Sequence, residues 1–233
     1  AKLAALYAPA FHVLEAEGID QFQFHIAPAT SFLRVHQPTK FGDDLSSLRP
    51  MLVKALKDRA QAAGLEYGIA GYGLRGIVPV AQDGVFIGTF EIGFDLDASL
   101  LEAFKTSQGS DVSLFTYTQD PEAGTVLKLY VSTLAEPFAV PEATRQEVLD
   151  TAQWRITVIE GGEEPYSVIT SPLLDHAGAV VGVVEISAPR GAAIQRINES
   201  LLTSLVVGSV LLGASVLILW LLLTRSVIQP LVQ

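Results

Sequence analysis

Apolar side chains at Leu3, Leu6, Tyr7, Ala10, Phe11 and Leu14 recur at the three-and-four spacing of a helix over residues 1–17. Pro9 is expected to kink or interrupt that helix, and Gly18 to end it. FQFHI (22–26) alternates as a short strand, and a polar, Gly- and Pro-marked stretch follows to Asp44. Helical spacing returns over 45–63, with Leu48, Met51, Leu52, Ala55 and Leu56 on one face. Asp43, Asp44, Ser46 or Ser47 would cap this helix and Gly64 end it. From Leu65 the period becomes two. Residues 72–80 and 85–96 predict long strands joined by a tight turn at Asp83-Gly84. A short helix over 98–105, strands at 112–117 and 127–132, and a helix over 141–152 follow, then strands at 154–160, 166–174 and 179–189. A last helix starts near Ile194. The pattern is α+β with antiparallel sheets.

Ser200–Thr224 carries no charge over 25 residues. At 1.5 Å per residue this is about 37 Å of helix, enough to cross a hydrocarbon core of about 30 Å. Arg196 and Glu199 flank one end and Arg225 the other. Trp220 lies near the Arg225 end as an interfacial aromatic would, and Gly208, Ser209, Gly213, Ala214 and Ser215 form a small-residue patch suited to helix packing. The segment reads as a transmembrane helix. Arg225, the cation that follows it, is expected on the cytoplasmic side, placing residues 1–199 outside the cytoplasm.

Charge narrows the function classes. The chain has 15 Lys+Arg and 25 Asp+Glu, net −10, and residues 1–199 hold 14 of those bases and all 25 acids, net −11. This opposes nucleic-acid binding, which needs a basic face. The absence of cysteine removes disulfides, thiolate zinc sites, Fe–S clusters and cysteine nucleophiles. A start at Ala1 and an end in mid-pattern at Gln233 lead us to expect a piece of a longer protein.

Gly84, Gly88, Glu91 and Ile92 recur as Gly178, Gly182, Glu185 and Ile186, each 94 positions later. Turn, strand glycine, Glu and Ile in the same order predict two α+β modules in tandem. The layout of stalk helix, PAS-like sheets and a helix returning to a span resembles a Cache-type extracytoplasmic sensor, of the double kind. The specific part of the resemblance is FHIAPATSFLRVHQPTKFGDDLSSLR (24–49) followed by GLEYGIAGYGLRGIVPV (64–80), similar to the membrane-distal module of Cache sensors in chemotaxis receptors and sensor histidine kinases. Arg225-Ser226-Val227-Ile228-Gln229-Pro230-Leu231 is similar to the start of a HAMP linker. A single Cache domain with an elaborated membrane-proximal half is the alternative. The expected organisation is a stalk helix over 1–21, a ligand-binding distal module over 22–125, a proximal module over 126–199, the span over 200–224 and the linker from 225. The resemblance implies a homodimeric receptor in the inner membrane, with a cytoplasmic output module. Rival readings are a sensor acting through a periplasmic partner protein, and a membrane-anchored adhesin or enzyme.

The ligand is expected among residues 24–91. A pocket needs apolar walls and a few fixed polar groups, and 25–49 sets His25, Thr30, Ser31, Arg34, His36, Lys40, Asp43, Asp44 and Arg49 among Phe22, Phe24, Phe32 and Phe41. The candidate site comprises Phe24, His25, Ser31, Arg34, His36, Lys40, Asp44, Tyr67, Tyr72, Arg75 and Glu91. Arg34, His36 and Lys40 are three potential cations within seven positions, and Arg grips a carboxylate with paired hydrogen bonds, so a small organic carboxylate is favoured. Arg34 pairing with Asp43 or Asp44 instead is an open alternative. Arg75, between Gly73 and Gly76, must face solvent, a partner or a cavity. Glu91 is its expected cross-strand partner. Gly71-Tyr72-Gly73-Leu74-Arg75-Gly76 spells GxGxxG but leads into a strand, so the dinucleotide reading fails. His12, His25, His36 and His176 show no HExxH or other compact metal spacing, and no Ser sits in a GxSxG elbow. No catalytic residue, metal or cofactor is expected.

Overall fold

A computed structural model describes residues 2–68, 71–120, 124–160 and 165–223. In chain order the elements are α1 (Lys2–Ala16), β1 (Gln21–Ile26), β2 (Thr30–Arg34), α2 (Pro50–Asp58), β3 (Ala62–Gly68), β4 (Gly71–Gln82), β5 (Val85–Asp95), α3 (Ala98–Gln108), β6 (Asp111–Asp120), β7 (Gly124–Ser132), α4 (Glu142–Thr151), β8 (Arg155–Ile159), β9 (Tyr166–Leu174), β10 (Val180–Pro189) and α5 (Gly191–Leu223). Two five-stranded sheets result, ordered β2-β1-β5-β4-β3 and β7-β6-β10-β9-β8. Each is a helix, a hairpin, a second helix and three strands, wound the same way.

Period-two alternation explains how each sheet is covered. On the first sheet Phe22, Phe24, Phe90 and Ile92 turn to Tyr7 and Phe11 of α1, with Phe22 and Phe90 ring centroids 4.8 Å apart. The other face meets α2 through Met51, Leu52, Ala55, Leu56 and Ile77. On the second sheet Val112, Leu114, Val184 and Ile186 pack with Leu101 of α3, while Phe115 and Val183 pack with Val148 of α4. The 94-residue repeat is therefore a structural one. β5 and β10, which carry it, are the central strands of their sheets. A Cβ on Gly88 would run into the His25 carbonyl of β1, and one on Gly182 into the Phe115 carbonyl of β6, so both central strands need glycine at the same close approach.

Several boundaries differ from expectation. Pro9 does not break α1, which is continuous through it. The polar stretch after residue 26 contains β2, which pairs with β1. The helix expected over 45–63 begins only at Pro50 because a residue before proline is driven out of helical geometry. Arg49 has φ −129° and ψ 70°. It stops at Arg59, which is left-handed, and Gly64 lies inside β3. The second sheet begins at β6, ahead of the module boundary expected at 126, because β6 and β7 are one hairpin.

α5 belongs to a second compact unit, separate from the one holding both sheets. It extends over most of the expected span. Among the described residues no helix is long and apolar enough to cross a membrane. Thr224 and the HAMP-like residues 225–231 lie outside the described residues.

Candidate functional site

The first sheet's α2-facing side holds a buried ionic cluster centred on Glu91 of β5. Strand register puts Glu91 opposite both Gln23 of β1 and Ile77 of β4, and Glu66 of β3 opposite Gly73. Glu91 is wholly buried and accepts from Arg49 Nη2 at 2.8 and 2.9 Å, from Arg75 Nη1 at 3.1 Å and from Gln23 Nε2 at 2.9 Å. Arg49 Nε donates to Glu66 at 2.5 Å, and the other oxygen of Glu66 accepts from the Met51 backbone N–H at 2.7 Å. Glu66 thus caps α2 from across the sheet, a role neither Asp43 nor Asp44 takes. Asp44 instead accepts from the Ser46 N–H in an exposed turn.

Burial alone would push the Glu91 carboxyl up, but Arg49, His25 and Arg75 outweigh it and hold it below the usual carboxylate range. His25, 4.0 Å from Glu91, goes the other way. Burial, against the pull of Glu91 and helped by Arg49, Arg34 and Arg75, lowers it to about 4, so it is neutral at pH 7. Burial and the nearby Arg49 charge also lower Arg75 from the usual guanidinium value, without deprotonating it.

Above this cluster opens a cavity of about 240 Å³. Buried Gln23, Arg34, Arg49 and Arg75 line it, together with Asp20, Gln21, His36, Lys40 and Asp95. Arg75 is 5% exposed. Its Nη1 donates to Gln21 at 2.5 Å and to Glu91, and its Nε has no hydrogen-bond partner. A Cβ on Gly68 would lie 2.9 Å from Arg75 Nη2, so glycine there leaves room for the guanidinium. Asp95 accepts from Gln21 at 2.8 Å, and Asp20 from the Asp95 N–H at 2.8 Å, which orders the acidic part of the lining. The result is a small chamber lined by three buried arginines together with Lys40, Asp20 and Asp95.

The structure gathers part of the expected set here. Arg34, His36, Lys40 and Arg75 line the cavity, and Glu91 and His25 lie in the cluster beneath it. Arg34 is committed to Asp43 by two hydrogen bonds of 3.0 and 2.6 Å and donates to the Lys40 carbonyl, so it fastens the loop that roofs the chamber. His36 is held at the Phe22 backbone. Five residues lie elsewhere. Phe24 has the opposite parity to Gln23 and packs on α1. Tyr67 and Tyr72 pair across β3 and β4 on the face opposite Glu66 and Arg75, with ring centroids 4.9 Å apart. Ser31 is buried beside a different groove, with Leu3, Phe32 and Phe41. Asp44 is exposed. Arg49, Glu66, Gln21 and Gln23 were not in the expected set. The β3–β4 register, Glu66 opposite Gly73 and Gly64 opposite Arg75, puts Glu66 on the Arg75 face, one residue from Tyr67 on the other.

The family model for the double sensory domain of two-component sensor kinases, dCache_3, matches residues 1–193. No curated protein matches the sequence. Among solved structures, the chain is similar to an extracellular ligand binding receptor from Desulfohalobium retbaense at 12% identity and TM-score 0.47, covering 75% of this chain and 31% of that one. It is similar to the ligand-binding domain of the Campylobacter jejuni chemoreceptor Tlp3 in complex with 4-methylisoleucine, at 11% identity and TM-score 0.44, covering 76% and 68%. It is also similar to the V. cholerae histidine kinase DctB sensor domain, at 10% identity and TM-score 0.40, covering 76% and 75%. With two sheets of matching order and a family model spanning both, the chain belongs to the double Cache sensory domains of two-component sensor kinases.

Proposed function

We propose that this chain is the extracytoplasmic ligand-sensing region of a transmembrane receptor, and that its ligand is a small organic carboxylate held in the chamber over Arg75. The carrying observation is the Arg75 guanidinium, which walls the chamber, is nearly sealed from solvent and keeps an unpartnered Nε–H. Nε itself is sealed, so an anion in the chamber would be held by the Arg75 charge and by the guanidinium edge that lines the cavity. Arg49 and Lys40 add positive potential at the same wall. The 25-residue uncharged run from Ser200 is the proposed span. Exposed Leu201, Leu202, Leu205, Val206 and Val207 on α5 support it, since such a face suits lipid. In this reading residues 1–199 lie in the periplasm, a homodimer presents two such modules, and a HAMP linker carries the signal to a cytoplasmic output module.

Calorimetric titration against a panel of small carboxylates tests the site. The wild type is expected to bind one or more, and Arg75→Ala to lose at least about thirtyfold in affinity, the lower end of the effect of removing one partner of a buried charged contact. Arg49 and Gln23 still hold Glu91 in that variant, so the fold is expected to persist. Unchanged affinity in Arg75→Ala rejects the site. No binding by any carboxylate favours a sensor that works through a partner protein.

A further inference from the structure

The proximal module repeats the distal one closely enough for their sites to be compared. Glu185 stands 94 positions after Glu91 and is 3% exposed, and Arg145 of α4 stands 96 positions after Arg49. Arg145 Nε and Nη2 reach the two Glu185 oxygens at 2.7 and 3.1 Å. Among the described residues no second arginine reaches Glu185, and Thr170 on the neighbouring β9 is fully buried. The face that binds charge in the distal module has here one arginine, neutralised by its glutamate.

On this same face, between β6, β7 and α4, lies a cavity of about 460 Å³ walled by Phe115, Tyr117, Leu127 and Leu149, with Arg145 and Glu142 at its polar side. The Arg145 guanidinium lies 4.2 Å over the Phe115 ring, making a flat platform. With Nε and Nη2 spent on Glu185, Nη1 has no hydrogen-bond partner among the described residues. Of the polar groups lining the cavity, Arg145 presents a free donor and Glu142 an acceptor beside aromatic and leucine surface, with Thr125 and Gln146 also at the wall. A guest anion would gain little from an arginine already neutralised and would be repelled by Glu142.

We propose that the proximal module carries a second binding site, between β6, β7 and α4, for a small neutral aromatic molecule whose polar end both accepts and donates a hydrogen bond. The site stands whether or not the distal chamber takes a carboxylate. Benzamide is the probe, titrated into the full 233-residue chain in detergent micelles with methyl-labelled leucine, and followed by NMR. Saturable shifts are expected at Leu127 and Leu149. They should be retained in Arg75→Ala, and benzoate should bind more weakly than benzamide. Gln146→Trp, at an exposed position on the cavity rim, is expected to raise the dissociation constant at least about tenfold while leaving Leu45 and Leu48 of the distal module unshifted. The proposal is overturned if the shifts do not saturate, if they appear only at Leu45 and Leu48, if Arg75→Ala abolishes them, or if Gln146→Trp leaves them unchanged.

Discussion

Glu91 is held by three cationic or amide side chains in a space without water access, so its charge is structural as well as electrostatic. Changing it to Gln removes the negative charge that Arg49 and Arg75 face and puts an amide donor where Arg49 donates. The expected cost is about 3–5 kcal/mol of folding stability, measurable by urea denaturation. His25 gives the same cluster a pH dependence. Its pKa falls from 6.5 in the unfolded chain to about 4 in the fold, so between those values the unfolded chain binds a proton that the folded one does not. Stability therefore rises with pH across the window and is lost as pH falls through it, by about 3 kcal/mol in all. His36 is shifted the same way, by burial first, and adds to the slope. Glu91, lowered in the fold, adds a further loss at more acid pH. Urea titrations at stepped pH should show this slope in the wild type and a shallower one in His25→Gln. Equal slopes would mean that His25 is not the neutral group described.

At the scale of elements, the repeat is carried by two glycines that let central strands pass close to a neighbouring carbonyl. Gly88→Ala and Gly182→Ala should each cost about 1–3 kcal/mol, since a methyl there must push against backbone. A comparable loss in both, read by thermal unfolding, is the signature of equivalent positions. The repeat was legible in the sequence because turn glycine, strand glycine and buried acid are fixed points of the same topology. The candidate site was only half legible. Arg75 and Glu91 declared themselves as charges inside apolar strands. Tyr67 and Tyr72 misled because period two sends alternate residues to opposite faces, and the choice of face was set by Glu66, which reads as an ordinary surface acid until its partner Arg49 is placed. Arg34 was visible as a cation near Asp43, but chain composition cannot say which of ligand and loop it serves. β2 was hidden because its register with β1 is bulged between Phe24 and His25, and Pro50 moved the start of α2 by restricting the residue before it.

Across the whole sensory unit, the two modules meet at one edge of the distal sheet. The His176 N–H, in the turn between β9 and β10, donates to the Leu65 carbonyl of β3 at 2.8 Å, and the Tyr72 N–H donates to the Tyr130 hydroxyl of β7 at 3.2 Å. Leu65 is followed by Glu66, which holds Arg49 at the chamber wall, and Leu65 itself lies in a shared core with Leu96, Leu101, Val112 and Leu114. In the proposed reading, a ligand that draws Arg49 or Arg75 toward itself shifts β3, and β3 is hydrogen-bonded to the hairpin whose second strand leads to α5. The most direct measurement is a crystal structure of the sensory region bound to the carboxylate selected by calorimetry. A carboxylate oxygen within about 3 Å of the Arg75 guanidinium, in the chamber bounded by Gln21, Gln23 and Arg49, is the predicted result. A ligand seated elsewhere, out of contact with Arg75, would contradict it.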